Sequence, residues 1–126
     1  MIPEKMKEVL QHEGVVAIAT QGPEGPHLVN TWNSYLQLTE ADTLATLLVP
    51  MGGMNTTEAN LRKDARVLMT VGAREVEGTI GPGAGFLIRG TAKIITSGPG
   101  FARVKDRFTW ARAALEIAIA SVEQTI

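Results

Sequence analysis

Apolar residues along this chain fall into short runs separated by clusters of Gly, Pro, Asn, Asp and Ser. Alternation in such runs marks half-buried strands, and spacings of three and four mark helices. Residues 3–12 begin with Pro3 and carry Met6, Val9 and Leu10 at helical spacing, which predicts a short helix stopped by Gly14. Residues 15–20 are a compact strand, and the turn formers of residues 21–26 lead into a second strand over residues 27–36. Residues 39–42 should turn the chain, and residues 43–49 form another strand that Pro50 to Met54 breaks. Residues 55–64 read as a helix in which Asn55 is the N-cap and Glu58 completes a capping box. Residues 65–71 are strand-like, residues 72–85 are loop-rich, and residues 85–96 form a long strand bent at Gly90. After Ser97 to Gly100, helical spacing of Phe101, Val104, Phe108, Ala111 and Leu115 places Trp110 near the end of a helix. Residues 116–122 alternate and close the chain as a last strand. About six short strands, three short helices and hairpin-length connections predict a mainly β, antiparallel barrel.

The strand over residues 27–36 is unusual. Alternation puts Leu28, Asn30, Trp32, Ser34 and Leu36 on one side and Val29, Thr31, Asn33 and Tyr35 on the other. Each side mixes a large aromatic with small hydrogen-bonding groups. Such a strand either walls a flat, polar-edged ligand or carries one core face and one interface face.

Length and composition narrow the class. The chain has 126 residues, which predicts one domain over residues 1–126. Twelve basic residues against 13 acidic ones leave no basic stripe for nucleic acid. No apolar run reaches the roughly 18 residues of a membrane span, so no membrane association is expected. Cysteine is absent, which removes disulfides, thiol nucleophiles and cysteine-ligated metals. The N-terminus has no signal-peptide core, and the cytoplasm is the expected location.

Gly52-Gly53 followed by Asn55-Thr56-Thr57 is the best ligand-site candidate. Glycines admit a close backbone approach, and the helix that follows presents free N–H groups to an anion such as a phosphate monoester. The same residues would equally serve as a plain turn and a cap. The Gly81 to Gly85 run precedes a strand rather than a helix and reads as a turn. His12 and His27 lack metal-ligand spacing, and Ser34, Ser97 and Ser121 lack a nucleophile-elbow context. Any chemistry would therefore come from a cofactor. Trp32, Tyr35 and Trp110 suit either packing or contact with a planar ring. Arg89 interrupts the apolar run Phe86-Leu87-Ile88, and if it faced inward it would need an anion partner.

Residues 13–20, residues 25–36, the Gly52-Gly53-Met54 turn with Thr57-Glu58-Ala59-Asn60, and residues 110–115 closely resemble the split-barrel flavin proteins related to pyridoxamine 5'-phosphate oxidase, and among them the small FMN-binding proteins of Desulfovibrio type. The resemblance runs nearly end to end. It implies a six-stranded antiparallel split barrel, a homodimer, and one non-covalent FMN per subunit near the subunit interface. It implies that Asn30, Thr31, Trp32, Asn33 and Ser34 line the isoalloxazine and ribityl chain, with Pro50, Gly52, Gly53, Met54, Thr56 and Thr57 along the phosphate side. Trp110 and the partner subunit's Ile126 would cover the apolar end of the ring, and Glu13 would influence the flavin's charge balance. One departure stands out: the family pattern has a Lys where this chain has Thr56, so either Arg89, Arg62 or Lys63 compensates or FMN binds more weakly. The turn over residues 39–43 is also longer than the family's.

The implied function is an electron-transfer carrier with a redox partner protein. The alternatives are a flavin reductase or an oxidase of the same superfamily, for which His27, Tyr35 and Arg89 would orient substrate, and a cofactor-free barrel serving as an interaction module.

Overall fold

The computed structural model describes residues 1–126. Its elements are α1 (Glu4–Val9), β1 (Val15–Gly22), β2 (Gly25–Trp32), a 3-10 turn (Asn33–Tyr35), β3 (Gln37–Ala41), β4 (Leu44–Met51), α2 (Asn55–Lys63), β5 (Arg66–Glu77), β6 (Pro82–Ile95), α3 (Gly98–Arg107) and β7 (Ala113–Gln124). The strands form one sheet in the order β2-β1-β5-β6-β7-β4-β3, every neighbouring pair antiparallel. This is the split barrel the sequence predicts, with seven strands where six were expected.

The additional strand is β3. Its Gln37 to Ala41 pair with Leu48 to Leu44, and Asp42 makes the turn at φ 54°. Asp tolerates this left-handed conformation because its short side chain bonds locally. The loop expected over residues 72–85 is also largely strand. β5 runs on to Glu77 and β6 starts at Pro82, with Gly72 paired to Gly85 and an irregularity between Ala73 and Glu77.

The barrel interior is filled by Val16, Ile18, Leu47, Val49, Met69, Phe86, Ile88, Leu115 and Ile117, with Met6 and Val9 of α1 packed into it. A smaller cluster of Leu48, Val104, Phe108, Ala111 and Ala114 holds α3 against the outside of β4 and β7. Buried and exposed residues alternate along β1 and most of β5, as a sheet with one buried face requires, whereas the end of β4 and the start of β7 are buried on both faces, where Leu48 and Ala114 pack against Val104 of α3. The bend expected at Gly90 is present: the register with β7 shifts between Arg89 and Gly90, and a Cβ at Gly90 would lie 2.3 Å from the Ala118 carbonyl oxygen. Arg89 faces outward and pairs with Glu123 at 3.2 Å, so it is a surface ion pair rather than an inward cation.

Two helix ends differ from expectation. Met54, at φ 60°, is the N-cap of α2, and Asn55 is its first helical residue. Asn55 and Glu58 form no capping box, because guanidinium groups claim both side chains: Arg112 reaches Asn55 and Glu58, and Arg62 reaches Glu58. A charge-assisted bond outcompetes a local amide contact. The helical spacing up to Leu115 overruns α3, which stops at Arg107. Trp110 lies in the turn closed by the Ala111 amide on the Phe108 carbonyl, and Leu115 is paired in β7. No helix is long and apolar enough to cross a membrane.

Candidate functional site

The β2 strand ends earlier than alternation predicts, and this shapes the site. β2 stops at Trp32, and the chain turns through Asn33–Tyr35. Leu36 is consequently buried, while Leu28 stays 68% exposed on the outer face. Asn33 drives the turn. Its side chain is buried and its Nδ2 lies 3.0 Å from the His12 and Gly72 carbonyl oxygens and 3.3 Å from that of Val9. The Asn33 amide donates to the Gly14 carbonyl at 2.9 Å. One side chain thus ties the turn to α1, to the segment before β1, and to β5. Glycine at position 14 is required for this approach, since a Cβ there would meet Gly72 O at 2.2 Å and Asn33 Nδ2 at 2.9 Å.

β4 delivers the opposite wall. Pro50 and Met51 pair with Ala114 and Ala113, so the loop after β4 emerges beside the turn before β7. The Trp110 ring packs on Gly52, where an added Cβ would come within 3.3 Å of it. A cavity of about 240 Å³ lies between these walls, lined by Val29, Asn30, Thr31, Trp32, Tyr35, Pro50, Gly52, Gly53, Met54 and Trp110. Tyr35, Phe108 and Trp110 form an aromatic group with ring centroids 5.0–5.9 Å apart. Trp32 and Trp110 are about half exposed. Apolar walls with a few polar groups are the usual composition of a small-molecule site.

Beyond the cavity floor the backbone becomes an anion cradle. The amides of Gly53, Met54, Asn55, Thr56 and Thr57 donate to no protein acceptor, while Glu58 N–H closes the first α2 hydrogen bond on Met54 O at 2.9 Å. The Thr57 hydroxyl is fully buried and has no hydrogen-bond partner. An orphaned buried hydroxyl beside five free amides at a helix N-terminus suits a phosphate group. Thr56 is exposed on the same turn.

Eight of the thirteen residues named from the sequence line this one cavity: Asn30, Thr31, Trp32, Pro50, Gly52, Gly53, Met54 and Trp110. Thr56 and Thr57 stand on the adjoining helix turn. Asn33, Ser34 and Ile126 lie outside the cavity lining. Asn33 is the buried tie already described. The Ser34 hydroxyl donates to Glu13 at 2.6 Å and its amide donates to the same carboxylate at 3.1 Å. The Ser34 hydroxyl first, and then its amide, hold the Glu13 carboxyl below the usual range, so a fixed negative charge sits at the end of the Trp32 wall. Ile126 lies against Gly85 at the C-terminus of its own chain. Tyr35, which the sequence offers as either packing or contact with a planar ring, lines the cavity; Val29 also lines it and Arg112 bonds the loop, and the sequence assigns neither of these two a role there.

A larger groove of about 540 Å³ runs over the outer face of β1, β5 and β6. Its charged groups are already matched, Arg66 to Asp64 at 2.7 Å and Arg89 to Glu123. The smaller cavity has the convergent unpaired donors and is the better candidate site.

The chain and its fold are similar to known proteins. The family model for pyridoxamine 5'-phosphate oxidase matches residues 2–125. A protein of Nitratidesulfovibrio vulgaris (strain Miyazaki F) described as "FMN-binding protein" is 58% identical over 126 residues, covering all of both chains. Among solved structures, HupZ from Group A Streptococcus superposes with a TM-score of 0.76 at 19% identity, over 98% of this chain and 94% of that one. An FMN-binding protein from Syntrophomonas wolfei superposes with a TM-score of 0.72 at 16% identity, over 98% and 85%. The family model matches nearly the whole chain and the relative matches its full length: the chain belongs to the pyridoxamine 5'-phosphate oxidase family.

Proposed function

We propose that this protein binds FMN in the Trp32–Trp110 cavity and works as an electron carrier. The observation that carries the proposal is the pairing of an aromatic cavity with five free amides and the orphaned Thr57 hydroxyl. A planar ring suits the first, and a terminal phosphate suits the second. The full-length relative described as an FMN-binding protein supports the same choice of ligand.

In this assignment Trp32, Trp110 and Tyr35 bury the isoalloxazine ring, and Asn30 and Thr31 face its polar edge and the ribityl chain. Pro50 shapes the loop exit. Gly52, Gly53, Met54, Thr56 and Thr57 hold the phosphate through backbone amides and hydroxyls. Asn33 and Ser34 act on this wall from behind, through the turn geometry and through Glu13. When bound, FMN supplies one- and two-electron transfer. The residues exclude water from the ring, and the Glu13 charge opposes added negative charge on it.

The carrier role is favoured over an enzymatic one because Tyr35 is the one titratable side chain in the cavity lining. Of the groups that an enzyme reading would use, His27 and Arg89 line no part of it.

The active form is a homodimer in this proposal. Leu28, Ala19, Leu68 and Arg89 are consecutive cross-strand partners, so they share one outer row across β2, β1, β5 and β6. Val15 and Trp32 form the end pair of β1 and β2 on this face. Val15, Leu28 and Leu68 are each 44–68% exposed, an apolar patch that a single chain leaves in water. Trp32 belongs to both this face and the cavity, so a second subunit on the face would border the flavin and could bring the partner subunit's Ile126 over the ring.

Anaerobic mixing of FMN-loaded protein with NADH or NADPH tests the carrier role. Flavin bleaching no faster than that of free FMN supports a carrier that depends on a redox partner protein. Rapid bleaching would make it a reductase.

A further inference from the structure

The loop that offers its amides at the phosphate end does not hold its own shape. Arg112, just before β7, reaches back to it with its whole guanidinium fork. Nε donates to the Gly52 carbonyl at 2.8 Å, and Nη2 donates to the Gly53 carbonyl at 2.5 Å and to Asn55 Oδ1 at 3.2 Å. Nη1 pairs with Glu58 at 2.7 Å, whose other oxygen accepts from Arg62 at 2.6 Å. The Arg112 amide is fixed in turn on the Met51 carbonyl at 2.9 Å. One residue therefore spans the end of β4, both glycines, and the first turn of α2.

The geometry points to Arg112 as the positioning residue that sets the loop's preference for a phosphorylated flavin. This rests on the FMN proposal above. In a trans peptide the carbonyl and the amide point in opposite directions. Holding the Gly52 and Gly53 carbonyls toward Arg112 turns the Gly53 and Met54 amides the other way, into the free set that faces no protein acceptor. Two glycines in sequence have no intrinsic preference for that arrangement. Gly53 has nothing within 4 Å of a built Cβ, so packing does not impose it either. Arg112 does so through the loop, since four of its five N–H groups are taken by the two carbonyls, Asn55 and Glu58.

A planar fork can hold two carbonyls and a carboxylate at once, whereas an ammonium group holds them only as a point charge. This separates orientation from simple charge. The test compares FMN and riboflavin affinity, by quenching of flavin fluorescence, in the wild type, Arg112→Gln and Arg112→Lys. The expected result is a loss of FMN affinity of about tenfold in both variants, the worth of roughly one charge-assisted amide–phosphate bond. Riboflavin, which lacks the phosphate, should bind all three proteins with nearly the same affinity. Its retention also reports that each variant is folded, and Arg112→Lys carries the test alone if Arg112→Gln is not. An unchanged FMN-to-riboflavin ratio in the variants overturns the proposal. So does full recovery by Lys, which would make Arg112 a charge and not a fork. A wild type that takes up neither flavin would instead sink the FMN assignment, and this proposal with it.

Discussion

Replacing Asn33 with Asp should destabilise the fold by about 3 kcal/mol or more, although the two side chains have nearly the same shape. Three carbonyl oxygens surround Asn33 Nδ2, those of Val9, His12 and Gly72. A carboxylate would set oxygen against oxygen at every one of them, with almost no solvent to screen the repulsion. Burial and neighbouring oxygens would raise the introduced carboxyl's pKa in the folded state above its unfolded value. The neutral acid, dominant below about pH 4, can still donate one hydrogen bond, so the variant is least impaired there. The penalty grows as pH rises toward the raised folded pKa and then levels off. Urea unfolding of the wild type and the variant from pH 4 to pH 8 measures it. A variant as stable as the wild type, with only flavin binding altered, would make Asn33 a ligand contact instead of a tie.

Thr56→Lys should tighten FMN binding by about 1.5–3 kcal/mol, roughly 10- to 150-fold. The cations closest in sequence and space to this turn are already committed. Arg62 and Arg112 both pair with Glu58, and they hold its carboxyl below the usual range, so it stays ionised at neutral pH. A phosphate dianion in the cradle therefore meets amides and hydroxyls but no free cation on this turn. A lysine at the exposed position 56 would supply one. It carries an unfavourable interaction of about 0.3–1 kcal/mol with the helix dipole, smaller than the expected gain. Calorimetric titration with FMN and with riboflavin checks the prediction, because only FMN should respond. Equal FMN affinity in the two proteins would place Thr56 away from the phosphate.

The parts legible in the sequence were those governed by neighbours along the chain. Gly52-Gly53 before a polar helix start is a local pattern, and the cradle lies there. The apolar alternation of β1 and of most of β6 fixed which faces are buried. The features that local pattern does not reveal depend on distant partners. Asn33 looked like one more strand residue because its three carbonyl partners are 21, 24 and 39 positions away. Asn55 and Glu58 satisfied a capping pattern, yet Arg112, 57 residues from Asn55, takes both side chains. β3 escaped notice because its Leu38 and Thr39 are only partly buried and it sits at the sheet's edge. Trp110 kept a helical period that the chain abandons once the Arg112 amide finds the Met51 carbonyl. In each case a contact between distant segments overrode a local preference.

In the proposed function the Trp32–Trp110 cavity and the α2 cradle together hold FMN. Its most direct test is a titration of the purified, flavin-free protein with FMN, followed by visible absorption and by flavin fluorescence. Saturation is expected at one FMN per chain, with fluorescence strongly quenched by the stacked tryptophans and with weaker binding of riboflavin. A flavin spectrum and fluorescence unchanged by the protein at every ratio would contradict it.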